Sequence, residues 1–171
     1  MLYILHFILF FMLHYAMPNY KRIYQEGYSY FITIVTHRRE PILLDNIALL
    51  RKSFALSKKS YSYHIDAIII LPDHIHMIIT PTKAKEYSKI ISHIKRSFVY
   101  GLDDNYRQNA KMSLTSSSYR RKVSGIWQKR FYEHTIRDEK DWLEKMSYIK
   151  YNAVKHKLVE VWDDWEYSSF V

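Results

Sequence analysis

His74 and His76 are separated by a single residue, Ile75, in a segment that is otherwise largely apolar. On a β-strand, side chains at positions i and i+2 point to the same face, so the two imidazoles would stand side by side. Imidazole is a common ligand of divalent cations, and a pair held in this way predicts a metal site. The spacing is common in proteins, and two ordinary polar histidines on the surface are the alternative interpretation.

Tyr148 and Asn152 form a second candidate pair, because residues at i and i+4 are neighbours on one face of a helix. They point to one side of an apolar stripe that would face the core. The stripe consists of Trp142, Met146, Ile149 and Ala153. A phenol has an ordinary pKa of about 10, so it needs a nearby metal or cation to become a nucleophile at neutral pH. Tyr148 is therefore a candidate nucleophile and Asn152 a candidate oxygen ligand. An exposed tyrosine and a helix-terminal asparagine are the alternative.

Basic and aromatic residues form the third feature. The 171 residues include 26 Lys and Arg against 17 Asp and Glu, a formal net charge of +9, together with 16 Tyr. Cations contact phosphates and flat rings stack on bases, so this composition predicts a nucleic-acid partner. The candidate DNA-binding residues are the helical stripe Lys89, His93 and Arg96, and the cluster Arg120, Arg121 and Lys122. A solvated helix face and a solvated loop explain these two groups equally well.

The composition also excludes several classes of protein. The chain has no cysteine, which excludes disulfides, zinc ribbons and thiol nucleophiles and fits a reducing compartment. It has 3 glycines and lacks the glycine-rich patterns that bind dinucleotides or nucleoside triphosphates. A hydrophobic fraction of 48% over 171 residues is enough to bury the core of one domain. We therefore expect a folded, cytoplasmic protein.

Alternating strands and helices must position these residues. β-Branched and aromatic runs predict strands at 28–36, 63–71, 74–80 and 126–137. Apolar residues at helical spacing predict helices at 41–56, 85–100 and 139–157. The His pair would open the third strand, the return arm of a hairpin, and Gly101 would cap the second helix. Residues 102–125 are polar and serine-rich, and we interpret them as a mobile loop over the active face.

Residues 1–16 differ from the rest of the chain. Residues 2–13 are apolar apart from His6, a run shorter than the roughly 20 residues that span a bilayer. The run lacks the charged flank and the cleavage site of a signal peptide. We interpret residues 1–16 as an apolar extension upstream of a start at Met17, and residues 17–171 as the functional domain. An interfacial membrane anchor is the alternative.

The segment LPDHIHMII, residues 71–79, resembles the metal-binding signature of the HUH endonucleases, in which two histidines flank a bulky hydrophobic residue. Three later segments narrow the resemblance to the REP-associated tyrosine transposases, bacterial relatives of the small insertion-sequence transposases with a single catalytic tyrosine. These segments are IWQKRFYEHTIRDEKDW, YIKYNAVKHKLV and WEYSS. The resemblance extends essentially from Met17 to Phe170, and four motifs in the expected order make it specific.

This resemblance implies a ferredoxin-like α+β sandwich, with helices on one face of an antiparallel sheet and the His pair on a central strand. It implies a single-stranded DNA endonuclease and strand transferase that cleaves near hairpins formed by palindromic repeats. Tyr148 matches the nucleophile, which would form a 5′-phosphotyrosine link. The residues that match the ligands of Mg²⁺ or Mn²⁺ are His74, His76 and Asn152. By the same resemblance Tyr20, Lys21 and Arg22 are further DNA-binding residues, which would contact a guide sequence beside the hairpin. Such an enzyme needs no ATP and no membrane, and we expect a nucleoid-associated monomer or homodimer.

Ala153 stands where the family usually has a proline after the asparagine. Proline would end or kink the helix, whereas alanine allows it to continue. Two other functions remain open at this point. A catalytically inactive protein that binds hairpin DNA or RNA would keep the basic surface without metal-dependent nicking. A membrane-associated protein would use residues 2–13 as its anchor.

Overall fold

The computed structural model describes residues 22–117 and 124–170. The strands in these ranges are β1 (Tyr30–Val35), β2 (Tyr63–Ile70), β3 (His74–Pro81) and β4 (Tyr132–Thr135). They form one antiparallel sheet in the order β2-β3-β1-β4. β1 and β3 are rich in β-branched residues, which suit a pleated and buried surface, and they occupy the central positions. The expected antiparallel sheet with the His pair on a central strand is confirmed.

Helices alternate with these strands. The described α-helices are α1 (Ile47–Ser60), α2 (Tyr87–Gly101), α3 (Asp104–Met112), α4 (Glu139–Lys150) and α5 (Asn152–Lys155). Short 3-10 segments lie at His37–Arg39, Ala84–Glu86 and Trp162–Asp164. The chain order β1-α1-β2-β3-α2-β4 is the order of a ferredoxin-like fold, so the α+β class is confirmed. No helix within 22–117 or 124–170 is long and apolar enough to cross a membrane.

Helices cover both faces of the sheet. Ile32 of β1 lies in an apolar cluster with Leu50 of α1 and Ile94 of α2. Phe31, the preceding residue, lies in a second cluster on the opposite face with Ile149 of α4. The prediction of helices on one face is therefore wrong for α4. β1 and β3 are buried at nearly every position, and a sheet that is apolar on both faces needs cover on both.

The segment 102–125 contains a helix that the sequence did not predict. The carboxylate of Asp103 caps α3 by accepting hydrogen bonds from the backbone N–H groups of Asn105 and Tyr106, at 2.9 and 3.3 Å. α3 buries no residue, so no apolar periodicity marks it in the sequence. The interpretation of this segment as a mobile loop is wrong for Asp104–Met112.

Several element boundaries differ from the predicted ones. The helix expected over 41–56 begins at Ile47, and the strand expected over 126–137 shortens to β4. The helix expected over 139–157 is interrupted at Tyr151, although no proline follows Asn152. Gly101 is the last residue of α2 rather than its cap. Its missing β-carbon matters for packing instead, since a β-carbon there would collide with the side chain of Leu49.

Some predictions concern parts of the chain outside the described residues. They are the extension 1–16 with the start at Met17, and the DNA-binding residues Tyr20, Lys21, Arg120, Arg121 and Lys122.

Candidate active site

His74 and His76 open β3 and point to the face of the sheet that α4 covers. Both residues are almost completely buried, at 3% and 4% exposure, and their ring centroids are 4.8 Å apart. The i, i+2 spacing therefore brings the two imidazoles together. They are not the surface histidines of the alternative interpretation.

One nitrogen of each imidazole is held by a neighbouring side chain. Nδ1 of His74 donates to Oδ1 of Asp73 at 2.5 Å, since an ionised carboxylate only accepts. Nδ1 of His76 lies 2.8 Å from the hydroxyl oxygen of Thr33, the residue opposite it on β1. The carboxylate fixes the tautomer of His74, and both partners hold the orientation of the rings, as such partners do for histidines that bind metals. They leave Nε2 of each ring for another partner.

Arg39 supports this arrangement from a tight turn after β1. Its guanidinium donates to Oδ2 of Asp73 at 2.8 Å. Arg38 and Arg39 have φ angles of 54° and 57°. Non-glycine residues occupy this region at a cost of about 1–3 kcal/mol each. The hydroxyl of Thr36 stabilises the turn by donating to the carbonyl oxygen of Asp73 at 3.0 Å. The turn thus places a cation beside the Asp73–His74 pair.

Both imidazoles are neutral at pH 7. Burial lowers the pKa of His74, although the carboxylate of Asp73 opposes this effect. Burial also lowers the pKa of His76 well below its usual range, and nearby positive charges, including those of Lys155 and Arg39, lower it further. Neutral imidazole is the form that binds a metal, so a cation could bind here without displacing a proton.

Tyr148 of α4 reaches the His pair. Its hydroxyl lies 3.5 Å from Nε2 of His76, and its ring stands edge-on to Phe31 with the centroids 5.7 Å apart. Burial raises the pKa of Tyr148, while the adjacent amide of Asn152 and the charge of Arg39 oppose the rise. The phenol is therefore protonated at neutral pH. A cation would have to stabilise its anion for it to act as a nucleophile.

Asn152 follows the helix break at Tyr151, at the start of α5. It is completely buried, and although its amide is close enough to the phenol of Tyr148 to lower the pKa of that group, neither polar atom of the amide makes a well-formed hydrogen bond among the described residues. Burying a polar group without a partner costs about 1–3 kcal/mol, which a ligand on the amide oxygen would relieve. In the part of the chain that the structure describes, no three His, Cys, Asp or Glu side chains are grouped to hold a metal. The groups here that could hold a divalent cation are the two imidazoles and this amide oxygen.

Two further residues at the end of the α5 segment lie at the site, and the sequence did not predict a role for them. The ring centroid of His156 is 5.1 Å from that of His74. The ammonium nitrogen of Lys155 lies 5.0 Å from the centroid of the Tyr148 ring. Both residues follow Asn152 by about one turn, so helical spacing from Asn152 is the signal that identifies them.

The predicted DNA-binding residues within the described ranges lie around α2, on the other side of the sheet. Lys89 and Arg96 are exposed on this helix, and His93 is partly buried. Arg22 lies beside the start of the helix, where its guanidinium donates to the hydroxyl of Ser88 at 3.0 Å and is also paired with the carboxylate of Glu133 at 3.0 Å. These basic residues form a group of their own, and the structure does not bring them to the His pair.

An open groove of about 900 Å³ follows α4 past Tyr148. The residues that line it are Glu139, Lys140, Leu143, Glu144, Ser147, Tyr148, Tyr151 and Lys155. Tyr148 contacts the His pair and also borders this groove. A substrate strand could therefore approach the phenol from solvent.

Known proteins match this chain over most of its length. Residues 24–152 match the family described as Transposase IS200 like. A Haemophilus influenzae protein named as a candidate REP-associated tyrosine transposase is 42% identical over 156 residues, which cover 90% of this chain and 86% of that protein. The REP-associated tyrosine transposase of Escherichia coli K12 is 31% identical over 156 residues, which cover 90% of this chain and 83% of that protein.

A solved structure shares the fold. The structure of a REP-associated tyrosine transposase bound to a REP hairpin has a TM-score of 0.72 and 30% identity to this chain, over 90% of this chain and 83% of the other. The resemblance indicated by the four sequence motifs is therefore confirmed. Since the family match extends from Tyr24 to Asn152 and includes both the His pair and Tyr148, the chain that carries this site belongs to the IS200-like transposase family.

Proposed function

We propose that the protein is a transposase that cuts and rejoins single-stranded DNA beside a hairpin, through a 5′-phosphotyrosine intermediate. The observation that carries this proposal is the position of the Tyr148 hydroxyl, 3.5 Å from Nε2 of His76. The phenol adjoins the His pair, whose imidazoles are neutral, and the buried amide of Asn152. Metal-assisted attack of a tyrosine on a phosphate needs a phenol beside groups that can hold a cation, and these residues can supply both.

Cleavage exchanges one oxygen on phosphorus for another. The phenol oxygen of Tyr148 forms a bond to the phosphorus of the scissile phosphodiester, and the bond from phosphorus to the 3′ oxygen breaks. The released oxygen takes up a proton in exchange for the one that the phenol loses. The products are a phosphotyrosine link to the 5′ end and a free 3′-hydroxyl. Attack by a 3′-hydroxyl on this link rejoins the strand, and because the ester bond conserves its energy, the reaction needs no ATP.

His74, His76 and Asn152 would hold the divalent cation, Mg²⁺ or Mn²⁺, and two nitrogen ligands favour Mn²⁺. When bound, the cation polarises the scissile phosphate as a Lewis acid. The chain itself keeps the imidazoles neutral by burying them. It orients them through the side chains of Asp73 and Thr33.

The partner that we propose is a DNA hairpin. The similar structure at 30% identity is that of a transposase bound to a REP hairpin. This chain has a net charge of +9, and Lys89 and Arg96 are exposed on α2. Lysine and arginine side chains bind the phosphates of a duplex stem. We therefore assign the stem to the α2 side and the cut strand to the groove at Tyr148.

The test is a covalent adduct between the protein and labelled single-stranded DNA. We expect the full chain, with Mn²⁺ and a hairpin flanked by single strands from beside its own gene, to form an adduct that survives denaturing electrophoresis. Tyr148→Phe should abolish the adduct and retain hairpin binding. Tyr151→Phe is the matched control, because Tyr151 lines the same groove, and it should form the adduct as the wild type does.

Two results would contradict this proposal. An adduct that persists in Tyr148→Phe would assign the nucleophile to another residue, with Tyr151 the first to test. Tight hairpin binding without an adduct, across several hairpins and both metals, would instead favour a binding protein that does not cleave DNA.

A further inference from the structure

The groups assigned so far leave the non-bridging oxygens of the scissile phosphate without a partner from the protein. Tyr148 supplies the nucleophile, and the His pair with Asn152 supplies neutral ligands for the cation. A phosphodiester carries one negative charge, and charge on its equatorial oxygens must be stabilised during transfer. A positively charged side chain at the attacked phosphate would provide this stabilisation.

Lys155 is positioned to be that side chain. Tyr148, Asn152 and Lys155 follow one another at i, i+4 and i+7, the spacing of one helix face. The ammonium nitrogen of Lys155 lies 5.0 Å from the centroid of the Tyr148 ring, and both side chains line the same open groove. A strand whose phosphate reaches the phenol oxygen therefore passes within reach of a flexible ammonium group.

Two further cations lie near the His pair, and their contacts indicate different roles. Lys145 pairs with the carboxylate of Asp141 at 3.7 Å and lies 5.9 Å from the centroid of the Phe31 ring. Arg39 is the other. Its guanidinium is paired with the carboxylate of Asp73 at 2.8 Å, and that carboxylate in turn holds His74. Lys155 contacts the ring of Tyr148 and lines the groove along which a strand would reach the phenol.

We propose that Lys155 binds the scissile phosphate, with its ammonium donating a hydrogen bond to a non-bridging oxygen of the phosphate that Tyr148 attacks. This inference rests on the proposed function. The phosphotyrosine formed by cleavage is again a phosphodiester with one negative charge, so the same contact persists in the intermediate and in the rejoining step. The alternative role is that Lys155 only positions the Tyr148 ring through a cation–π contact.

Neutralising one phosphate in the DNA separates these two roles. After the cut site has been mapped with the wild type, two strands are compared that differ only at that site, a normal phosphate in one and a neutral methylphosphonate in the other. Their affinities are measured in the Tyr148→Phe protein, which should not cleave, with and without Lys155→Met. Methionine keeps much of the side-chain volume and lacks the charge. Lys150→Met is the matched control, because Lys150 lies over the ring of Trp162 at 3.7 Å from its centroid.

We expect Lys155→Met to weaken binding of the normal strand about tenfold, the effect of one lost charge-assisted hydrogen bond. It should leave the affinity for the methylphosphonate strand unchanged. Lys155→Arg, which keeps the charge, should retain the preference for the normal strand. Lys150→Met should affect both strands to the same extent. With Tyr148 present, Lys155→Met should also lower the rate of adduct formation at saturating DNA.

Two results would overturn the assignment of Lys155, namely equal weakening of both strands by Lys155→Met and no weakening of either. A wild-type protein that forms no adduct would contradict the proposed function, and the assignment of Lys155 would fall with it. Adduct formation by the wild type therefore distinguishes the two failures.

Discussion

The two faces of the sheet bury different kinds of residue, although both are built from alternate positions of the same strands. Towards α1 and α2, Ile75 and Met77 of β3 are completely buried in an apolar cluster. Towards α4, the alternate positions are His74 and His76, whose rings contact each other, and His76 also contacts the ring of Tyr148. The two-residue period of a strand thus keeps the start of β3 apolar towards α1 and α2 and puts its imidazoles towards α4, where they adjoin a second apolar cluster that includes Phe31 and Ile78.

The polar groups on the α4 face are satisfied to different degrees. Nδ1 of His74 and Nδ1 of His76 each have a hydrogen-bond partner. The amide of Asn152 is buried, and neither of its polar atoms makes a well-formed hydrogen bond within the described residues. A buried polar group with incomplete hydrogen bonds destabilises the folded state, and a ligand on the amide oxygen would offset that cost.

Replacing neighbouring residues of β3 by alanine should affect different properties of the protein, and this is the largest effect that we expect from the difference between the two faces. His76→Ala removes a proposed metal ligand and should reduce Mn²⁺-dependent adduct formation to background. Ile75→Ala removes a fully buried side chain and should lower the free energy of unfolding by about 2–5 kcal/mol, measured by chemical denaturation.

The control for this pair is Ile75→Val, which should cost only about 0.5–1.5 kcal/mol and leave adduct formation intact. If the folded Ile75→Val protein formed no adduct, packing on the α1 and α2 face would also be needed for the reaction, which would contradict the difference between the two faces.

Asn152→Leu should separate folding stability from metal binding, because it should make the metal-free protein more stable and weaken the binding of the metal. Leucine is similar in size to asparagine and has no polar atom, so the free energy of unfolding in a chelator should rise by about 1–2 kcal/mol. Loss of the amide oxygen should lower the affinity for Mn²⁺ at least about tenfold, measured by titration without DNA. A metal-free Asn152→Leu protein less stable than the wild type would show that the amide contributes to folding.

The principal residues of the site follow from the sequence because their placement depends on local geometry. The i, i+2 spacing on β3 brings His74 and His76 together, and the i, i+4 spacing puts Tyr148 and Asn152 on one side of a helix. The helix break at Tyr151 does not disturb this, since the backbone N–H of Tyr151 still donates to the carbonyl of the residue four positions earlier.

The supporting residues depend on long-range structure and could not be predicted in this way. Thr33 reaches His76 through the register between β1 and β3, and Arg39 reaches Asp73 through a turn with positive φ angles. The cover that α4 gives to the second face of the sheet could have been predicted. The apolar run of β1, YFITIV, already indicates a strand buried on both sides.

Lowering the pH should reveal the contribution of the two buried histidines on the α4 face to stability, without any substitution in the chain. His74 and His76 have lowered pKa values in the folded protein because they are buried, whereas in the unfolded chain they titrate near the usual value of about 6.5. Between the two values the unfolded state binds more protons. The free energy of unfolding is therefore highest above about pH 6.5 and decreases at lower pH, by up to about 1.4 kcal/mol per pH unit for each histidine.

Urea denaturation of the metal-free protein between pH 7.5 and 5.5 measures how steeply the free energy of unfolding depends on pH. His76→Ala should reduce the slope, whereas Ile75→Val should keep it, because only the residue on the α4 face titrates. Equal slopes in the wild type and His76→Ala would mean that the imidazole of His76 is not held neutral by burial.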